Sequence, residues 1–365
     1  MKIQVSKENL LTGINAVQKA VSTKNIMPVL ACIRLEAKDD TLFFMATNLD
    51  MGIQCHVPAN VMQEGIILVS ARYFSEIARK LPDVIITLEL SDQRVLNIQC
   101  EQLFFSLVTI SPEDFPIFPE NDYNFRFFVL APDLRKMIKN SAFAASTDEL
   151  RALFTGILWE FTGNTLTMVS TDTHRLALSS GLIESSEPLT GQFIVPSKTL
   201  VEVGRLIQEE PCQIHISLNL AYFMFDNIVI YCRLLEGKFP DYRSVIPQDP
   251  TIRIRVKTQA FLDAVERVAL FSTDNQNSKT IQLSIIDEKM TVFSKSDIGQ
   301  GDEEVFLVKE GENIQIAFNS SYLIEGLKVM ESEEVSFCLT QALNPGVIRP
   351  HGDDSFVYLV LPIRA

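Results

Sequence analysis

Asn164-Thr165-Leu166-Thr167-Met168-Val169-Ser170-Thr171-Asp172 is one of three similar runs in the chain. A matching run, Asp40-Thr41-Leu42-Phe43-Phe44-Met45-Ala46-Thr47-Asn48, stands 124 residues earlier. Another, Glu288-Lys289-Met290-Thr291-Val292-Phe293-Ser294-Lys295-Ser296, stands 124 residues later, so Leu42, Leu166 and Met290 share one position. Upstream of each run lies a helix-like stretch with three-and-four apolar spacing: Leu10, Ile14, Val17 and Val21, then Leu134, Met137 and Ile138, then Phe261, Val265 and Val268. A second helix recurs at 70–77, 196–203 and 319–326, with Ser70 and Asn319 as expected N-caps and Pro196 suited to helix entry. Phe115-Pro116 and Phe239-Pro240, again 124 residues apart, close the first two units.

Between the helices, segments such as 85–90, 95–99 and 214–218 read as short β-branched strands. Each unit thus runs helix, strands, helix, strands, an α+β pattern of two helices with antiparallel sheets. Turn residues at 121–124 and at Gln248-Asp249-Pro250 place the boundaries, giving three similar domains at 1–124, 125–250 and 251–365. Repeats of this length are whole domains and not turns of a solenoid.

Composition narrows the function. At 47% hydrophobic and 21% charged, the 365 residues can fill ordinary cores and are too apolar for disorder. No apolar run approaches the ~18–20 residues a membrane span needs, and residues 1–6 alternate like a strand without a signal-peptide core. No membrane partner is expected. Six dispersed cysteines argue against a zinc cluster or disulfide framework and for reduced thiols in the cytoplasm. The four histidines show no metal-ligand spacing. Walker, dinucleotide and nucleophile-elbow motifs are absent, and Gly299-Gln300-Gly301 runs into acids. No catalytic residue, metal or cofactor is expected.

The formal charge of −14 argues against a bulk polycation coating nucleic acid, yet it is unevenly placed. The six helical segments 7–21, 71–81, 132–143, 197–207, 258–271 and 320–330 hold 12 Lys/Arg against 7 Asp/Glu, whereas the rest holds 20 against 39. At 100° per residue, Arg72 and Arg79 oppose Phe74, Ile77, Ala78 and Leu81, and Lys198 and Arg205 oppose Leu200, Val203 and Ile207. Lys328 follows Leu323 by five residues, as Arg79 follows Phe74 and Arg205 follows Leu200. Arg135, Lys136 and Lys139 oppose Leu134, Met137 and Ile138, while segment 258–271 departs from the pattern with Asp263 and Glu266. A basic position recurring in three domains suggests an array lining a polyanion, with duplex DNA the obvious candidate because phosphates attract without regard to sequence. Twelve helices from two copies, ~9–10 Å apart, would enclose a hole of ~26 Å, enough for a duplex.

Four stretches carry a family resemblance: Met27-Pro28-Val29-Leu30, Ser170-Thr171-Asp172-Thr173-His174-Arg175-Leu176, Phe239-Pro240-Asp241-Tyr242-Arg243 and Tyr358-Leu359-Val360-Leu361-Pro362-Ile363-Arg364. Over its whole length the sequence resembles the bacterial DNA polymerase III beta subunits, the sliding clamps. The resemblance implies the DNA clamp fold and a head-to-tail homodimeric ring that encircles duplex DNA without reading its sequence. Implied partners are the DNA polymerase III catalytic subunit, the clamp loader and other clamp-binding-motif proteins, which the ring tethers without catalysis.

It also implies a partner-peptide cleft between the second and third domains, built from Arg151, Phe154, Thr171, His174, Arg175, Leu176, Pro240, Val245, Leu361, Pro362, Ile363 and Arg364. Leu176, Val245, Leu361 and Ile363 are expected to form its pocket, Pro240 and Pro362 to stiffen its walls, and Arg151 and Arg175 to stand at its rim. Thr173 occupies a position usually held by glycine, and Ser244 one where arginine is common. Lys24, on a loop near DNA, joins Arg72, Arg79, Lys136, Lys139, Lys198, Arg205 and Lys328 as the expected DNA-facing set, and Asp148 stands where a polar DNA contact would be. Phe105, Leu107, Leu270 and Phe271 fall at the implied subunit interface, which large apolar residues suit. Two other readings compete. One is a ring-shaped protein-binding scaffold that no longer retains DNA, suggested by the −14 charge and the acidic segment 258–271. The other is a hydrolase around Asp172 and His174, which share a strand face with no indicated nucleophile.

Overall fold

Six α-helices form where apolar spacing places them: α1 Lys7–Val17, α2 Ala71–Lys80, α3 Ala131–Ala142, α4 Ser197–Leu206, α5 Thr258–Val268 and α6 Ser320–Val329. They belong to a computed structural model that describes residues 1–22, 27–120, 123–272 and 279–363. Most expected stripe residues are buried, from Leu10, Ile14 and Val17 on α1 to Leu323 on α6, whereas Ile77 on α2 is half-buried and Val21 lies beyond the end of α1. Asn319 caps α6 by accepting from the Ser321 N–H at 2.9 Å, and Ser6 does the same for α1 from Asn9 at 3.1 Å. Ser70 occupies the corresponding place before α2 but makes no side-chain capping bond, so that expected cap is only positional.

Leu42, Leu166 and Met290 are all fully buried, each the second residue of its strand: Thr41–Thr47, Thr165–Thr171 and Lys289–Ser296. A strand also precedes the first helix of every repeat: Lys2–Ser6, expected from its alternation, and Phe125–Val129 and Ile252–Lys257, which the sequence reading did not include. All named ladders are antiparallel, in sheets of five, eight and twelve strands. No helix among the described residues is long and apolar enough to cross a membrane.

Two compact units result, one of residues 1–132, 184–186 and 202–234, the other of residues 133–183, 187–201 and 235–365. They cut across the threefold repeat because the sheets do. In the first unit the last strand of the second repeat, Ile228–Arg233, pairs with Met51–Pro58 of the first repeat. In the second unit the last strand of the third repeat, Phe356–Val360, pairs with Arg175–Leu182 of the second. The equivalent last strand of the first repeat, Leu103–Val108, is the edge of the five-stranded sheet. Its counterpart by repeat order, Gly299–Glu310, pairs along 299–306 with Lys289–Ser296, and along 307–310 with Ile252–Lys257.

Within the second unit, α6 lies directly on the Phe356–Val360 strand. A Cβ at Gly326 would come within 2.2 Å of the Tyr358 ring, so only glycine permits this approach. Tyr358 then donates its hydroxyl to the Tyr322 carbonyl at 2.9 Å, which fixes Tyr322 beside the site described next.

Candidate functional site: an apolar cleft beside the Asp172–Leu176 turn

The strand Thr165–Thr171 ends in a turn organised by its own side chains. Asp172 Oδ1 accepts from the backbone N–H groups of His174 and Arg175 at 2.9 and 3.0 Å, and Thr171 Oγ1 accepts from the Thr173 N–H at 3.0 Å. Thr173 sits at φ 80°, in the left-handed region, where a β-branched residue is strained and glycine is not. Thr173→Gly should therefore raise stability by about 1 kcal/mol, measured by denaturant unfolding; an unchanged or lower midpoint would show that the turn relaxes around threonine.

Arg175 is 8% exposed and held on every side. Its Nε lies 3.0 Å from Asp172 Oδ2, Nη1 lies 2.6 Å from Glu325 Oε2, and Nη2 donates to the Phe143 carbonyl at 2.9 Å. The guanidinium stacks 4.6 Å from the Tyr322 ring centroid and 5.5 Å from that of Phe143. Burial pulls its pKa down, but Tyr358, Glu325 and Asp172 outweigh burial and raise it. Arg175 is thus an internal strut as well as a lining residue, and not the rim cation expected from sequence.

The opposite wall is the segment 239–245. Phe239 and Tyr242 are buried, and Asp241 caps the short turn Tyr242–Val245 by accepting from the Arg243 N–H. Glu160 latches this wall to the sheet: it accepts from the Tyr242 hydroxyl at 2.7 Å, from Gln192 at 2.6 Å and from both Nη groups of Arg243. Burial pushes the Glu160 carboxyl up, yet these donors win and hold it below the usual carboxylate range. The latch is therefore intact above that range and is lost as pH falls through the depressed value.

Between these walls lies a mostly apolar cleft of about 180 Å³. Of the residues expected there, Phe154, Thr171, Arg175, Leu176, Pro240, Val245 and Leu361 line it. Leu361 is carried in by a bond from its N–H to the His174 carbonyl at 2.9 Å. The sequence reading missed Thr173, Phe239, Asp241, Tyr242 and Leu359 as lining residues. Signals for most of them were present, since 239–243 is a quoted motif and Leu359 shares a strand face with Leu361.

Other expected members stand apart. Arg151 is exposed and bonded to Asp148 at 3.0 Å and to Thr173 at 3.2 Å. The His174 ring is exposed and stacks on Tyr322 with centroids 6.3 Å apart. Pro362 is half-buried outside the lining. Ile363 is a correction: its N–H bonds the Ala317 carbonyl at 2.8 Å, drawing it onto the strand Ile314–Asn319, where it lines a separate cleft of about 710 Å³ with Phe293 and Leu343. Arg364 and Lys24 lie outside the described residues.

Asp172 offers little to a hydrolase, because its carboxylate is committed to its own turn and to Arg175, and it meets His174 through the backbone N–H. Among the described residues no group of three or more His, Cys, Asp or Glu could hold a metal ion. Arg72, Arg79, Lys136, Lys139, Lys198, Arg205 and Lys328 are all exposed, opposite the buried helix stripes. At the expected subunit contact, Leu270 is 74% exposed, but Phe105 and Leu107 are half-buried. Phe104 and Val108 stand on the other face of that strand, at 62% and 79% exposure. Phe271 is also half-buried, its ring so close to Gly301 that a Cβ there would lie 2.8 Å away.

Three family models match the chain: the N-terminal, central and C-terminal domains of the DNA polymerase III beta subunit, over residues 1–119, 129–241 and 243–364. The chain belongs to the DNA polymerase III beta subunit family. The beta sliding clamp of Bacillus subtilis is 31% identical over 376 aligned residues that cover all of both chains. The crystal structure of the Bacillus subtilis sliding clamp superposes with a TM-score of 0.96 at 31% identity, covering 100% of this chain and 99% of that one. A Pseudomonas aeruginosa sliding clamp bound to griselimycin gives 0.93 at 28% identity, with 100% of each chain covered. Beta subunits act as processivity clamps for a replicative DNA polymerase and have no catalytic chemistry of their own, which sets aside the hydrolase reading.

Proposed function

We propose that two copies of this chain close a head-to-tail ring around duplex DNA and that the 180 Å³ cleft holds the short peptides by which partners attach. One observation carries the cleft assignment. Segments far apart in sequence (154, 171–176, 239–245 and 359–361) converge on one apolar hollow of the size a few anchor side chains fill. The expected occupants are tails of the DNA polymerase III catalytic subunit, the clamp loader and other clamp-binding-motif proteins. To test it, a polymerase-tail peptide with a photo-crosslinking residue beside its apolar anchor is bound to the clamp. The adducts should map to 239–245 or 359–361 by mass spectrometry; adducts confined to other segments would move the site.

Strand order supports the ring. The last strand of the second and third repeats pairs with the repeat before it, while Leu103–Val108 remains an edge. By the same rule it would pair with Gly299–Glu310 of a second copy, a heterologous contact that closes when made twice. Phe104, Val108 and Leu270 would be covered there, together with Phe105, Leu107 and Phe271. We assign Lys24, Arg72, Arg79, Lys136, Lys139, Lys198, Arg205 and Lys328 to the DNA side, with contacts that position the duplex without reading it. We place the domain limits near 124 and 250; the matched spans break between 119 and 129 and between 241 and 243, the second break falling ahead of 250. A cytoplasmic location suits six free cysteines, five of them buried.

A further inference from the structure

Six of the seven described cations assigned to DNA are already held by a carboxylate of the same chain. In the first unit Arg72 lies 3.7 Å from Glu76 and Arg205 lies 2.6 Å from Glu202, while Arg79 donates to the Gln18 amide oxygen at 2.9 Å. In the second unit the pairs are Lys139–Glu331 at 2.7 Å, Lys328–Glu266 at 2.8 Å, Lys198–Glu149 at 3.0 Å and Lys136–Asp353 at 4.0 Å. Glu149, Glu331 and Asp353 come from outside the helices they neutralise. The excess of base over acid counted along the helices is therefore largely cancelled once the chain folds.

We propose that Glu149, Glu266 and Glu331 are affinity-limiting residues of the DNA surface, each occupying an ammonium group that a phosphate would otherwise take. The proposal rests on the reading that these helices face DNA. Exposed ion pairs are weak, so a phosphate can displace the carboxylate. The exchange swaps one charge-assisted contact for another and leaves the displaced carboxylate close to the phosphate, where like charges repel. Little net attraction survives. Seven cations against six carboxylates neutralise about one phosphate per chain, so a two-copy ring should show a salt slope of about 2 and not of about 13. A surface of this kind confines a duplex without gripping it, which is what sliding needs. Lys139 and then Lys136 hold the Glu331 carboxyl below its ordinary range, so it stays charged at neutral pH. The three glutamate side chains are 69%, 41% and 64% exposed, so changing them leaves the core untouched.

The test uses the intact clamp and its E149Q/E266Q/E331Q variant, with anisotropy of a short labelled duplex from 50 to 200 mM salt. The slope of log affinity against log salt should steepen by about 0.9 per released cation, about 2.7 per chain of the ring. A charge-matched control, E113Q/E187Q/E312Q, should leave the slope unchanged. An unchanged slope in the first variant, or an equal change in the control, overturns the proposal. The variant K139Q/K198Q/K328Q separates the two claims. If it weakens binding while the glutamate variant has no effect, only the limiting role of the acids fails. If it changes nothing either, the assignment of these helices to DNA fails with it.

Discussion

Leu361→Asp should lower affinity for a polymerase-tail peptide by about a hundredfold or more, whereas Ile363→Asp should change it only a few-fold. Leu361 lines the cleft with Leu176, Phe239 and Val245, so a partner's apolar anchor would pack on it. Losing such a contact is worth about 1.5–3 kcal/mol. A carboxylate facing an apolar group adds a desolvation penalty, and about 2.7 kcal/mol already makes a hundredfold difference. Leu361 is 37% exposed in the free chain, so the fold itself should tolerate the change. Ile363 lines the other cleft and is anchored by its bond to Ala317. Titration of a labelled peptide decides the matter: equal losses in the two variants would mean that both clefts act as one site.

Arg175→Ala should cost the second unit about 3–5 kcal/mol, the range for removing one partner of a buried ion pair. Asp172, whose side chain is only 14% exposed, would be left charged without its guanidinium, and the Phe143 carbonyl would lose its donor. Tyr322 and Phe143 would also lose the group that packs between them. A double variant, Asp172→Ala with Arg175→Ala, should recover part of the loss, since the uncompensated carboxylate disappears with its partner. Denaturant unfolding of the three proteins measures this. A single-variant loss below about 1 kcal/mol would mean that the network is decorative.

The helices were legible because a 3.6-residue stripe is a local signal, and the repeat because Leu42, Leu166 and Met290 keep one spacing. What local pattern cannot carry is pairing at long range. Nothing in residues 228–233 announces that they complete a sheet begun at 51–58, so three repeats read from sequence become two compact units in space. The cleft divides in the same way. Leu176 and Leu361 were assigned through the family resemblance, while Phe239, Tyr242 and Leu359 stood inside its quoted motifs but read as ordinary core until the cleft placed them. Glu160 is a lone acid in a strand until its donors arrive from 192 and 242–243. Arg175 was placed at the rim through the family resemblance, but two carboxylates and two aromatic rings hold it buried here. Counting along the helices overstated their net charge, because Glu149, Glu331 and Asp353 return from other segments to pair with Lys198, Lys139 and Lys136.

The central claim is topological: the chain holds DNA by enclosing it. Loading onto a nicked circle, followed by gel filtration before and after linearisation, tests this directly. The clamp should co-elute with the closed circle whatever its sequence, and should leave once the DNA is cut and an end is free. A Phe104→Arg/Val108→Arg variant, with its edge strand charged, should fail to stay on the circle at all. Retention that survives linearisation, or a charged-edge variant retained as well as the parent, would contradict enclosure.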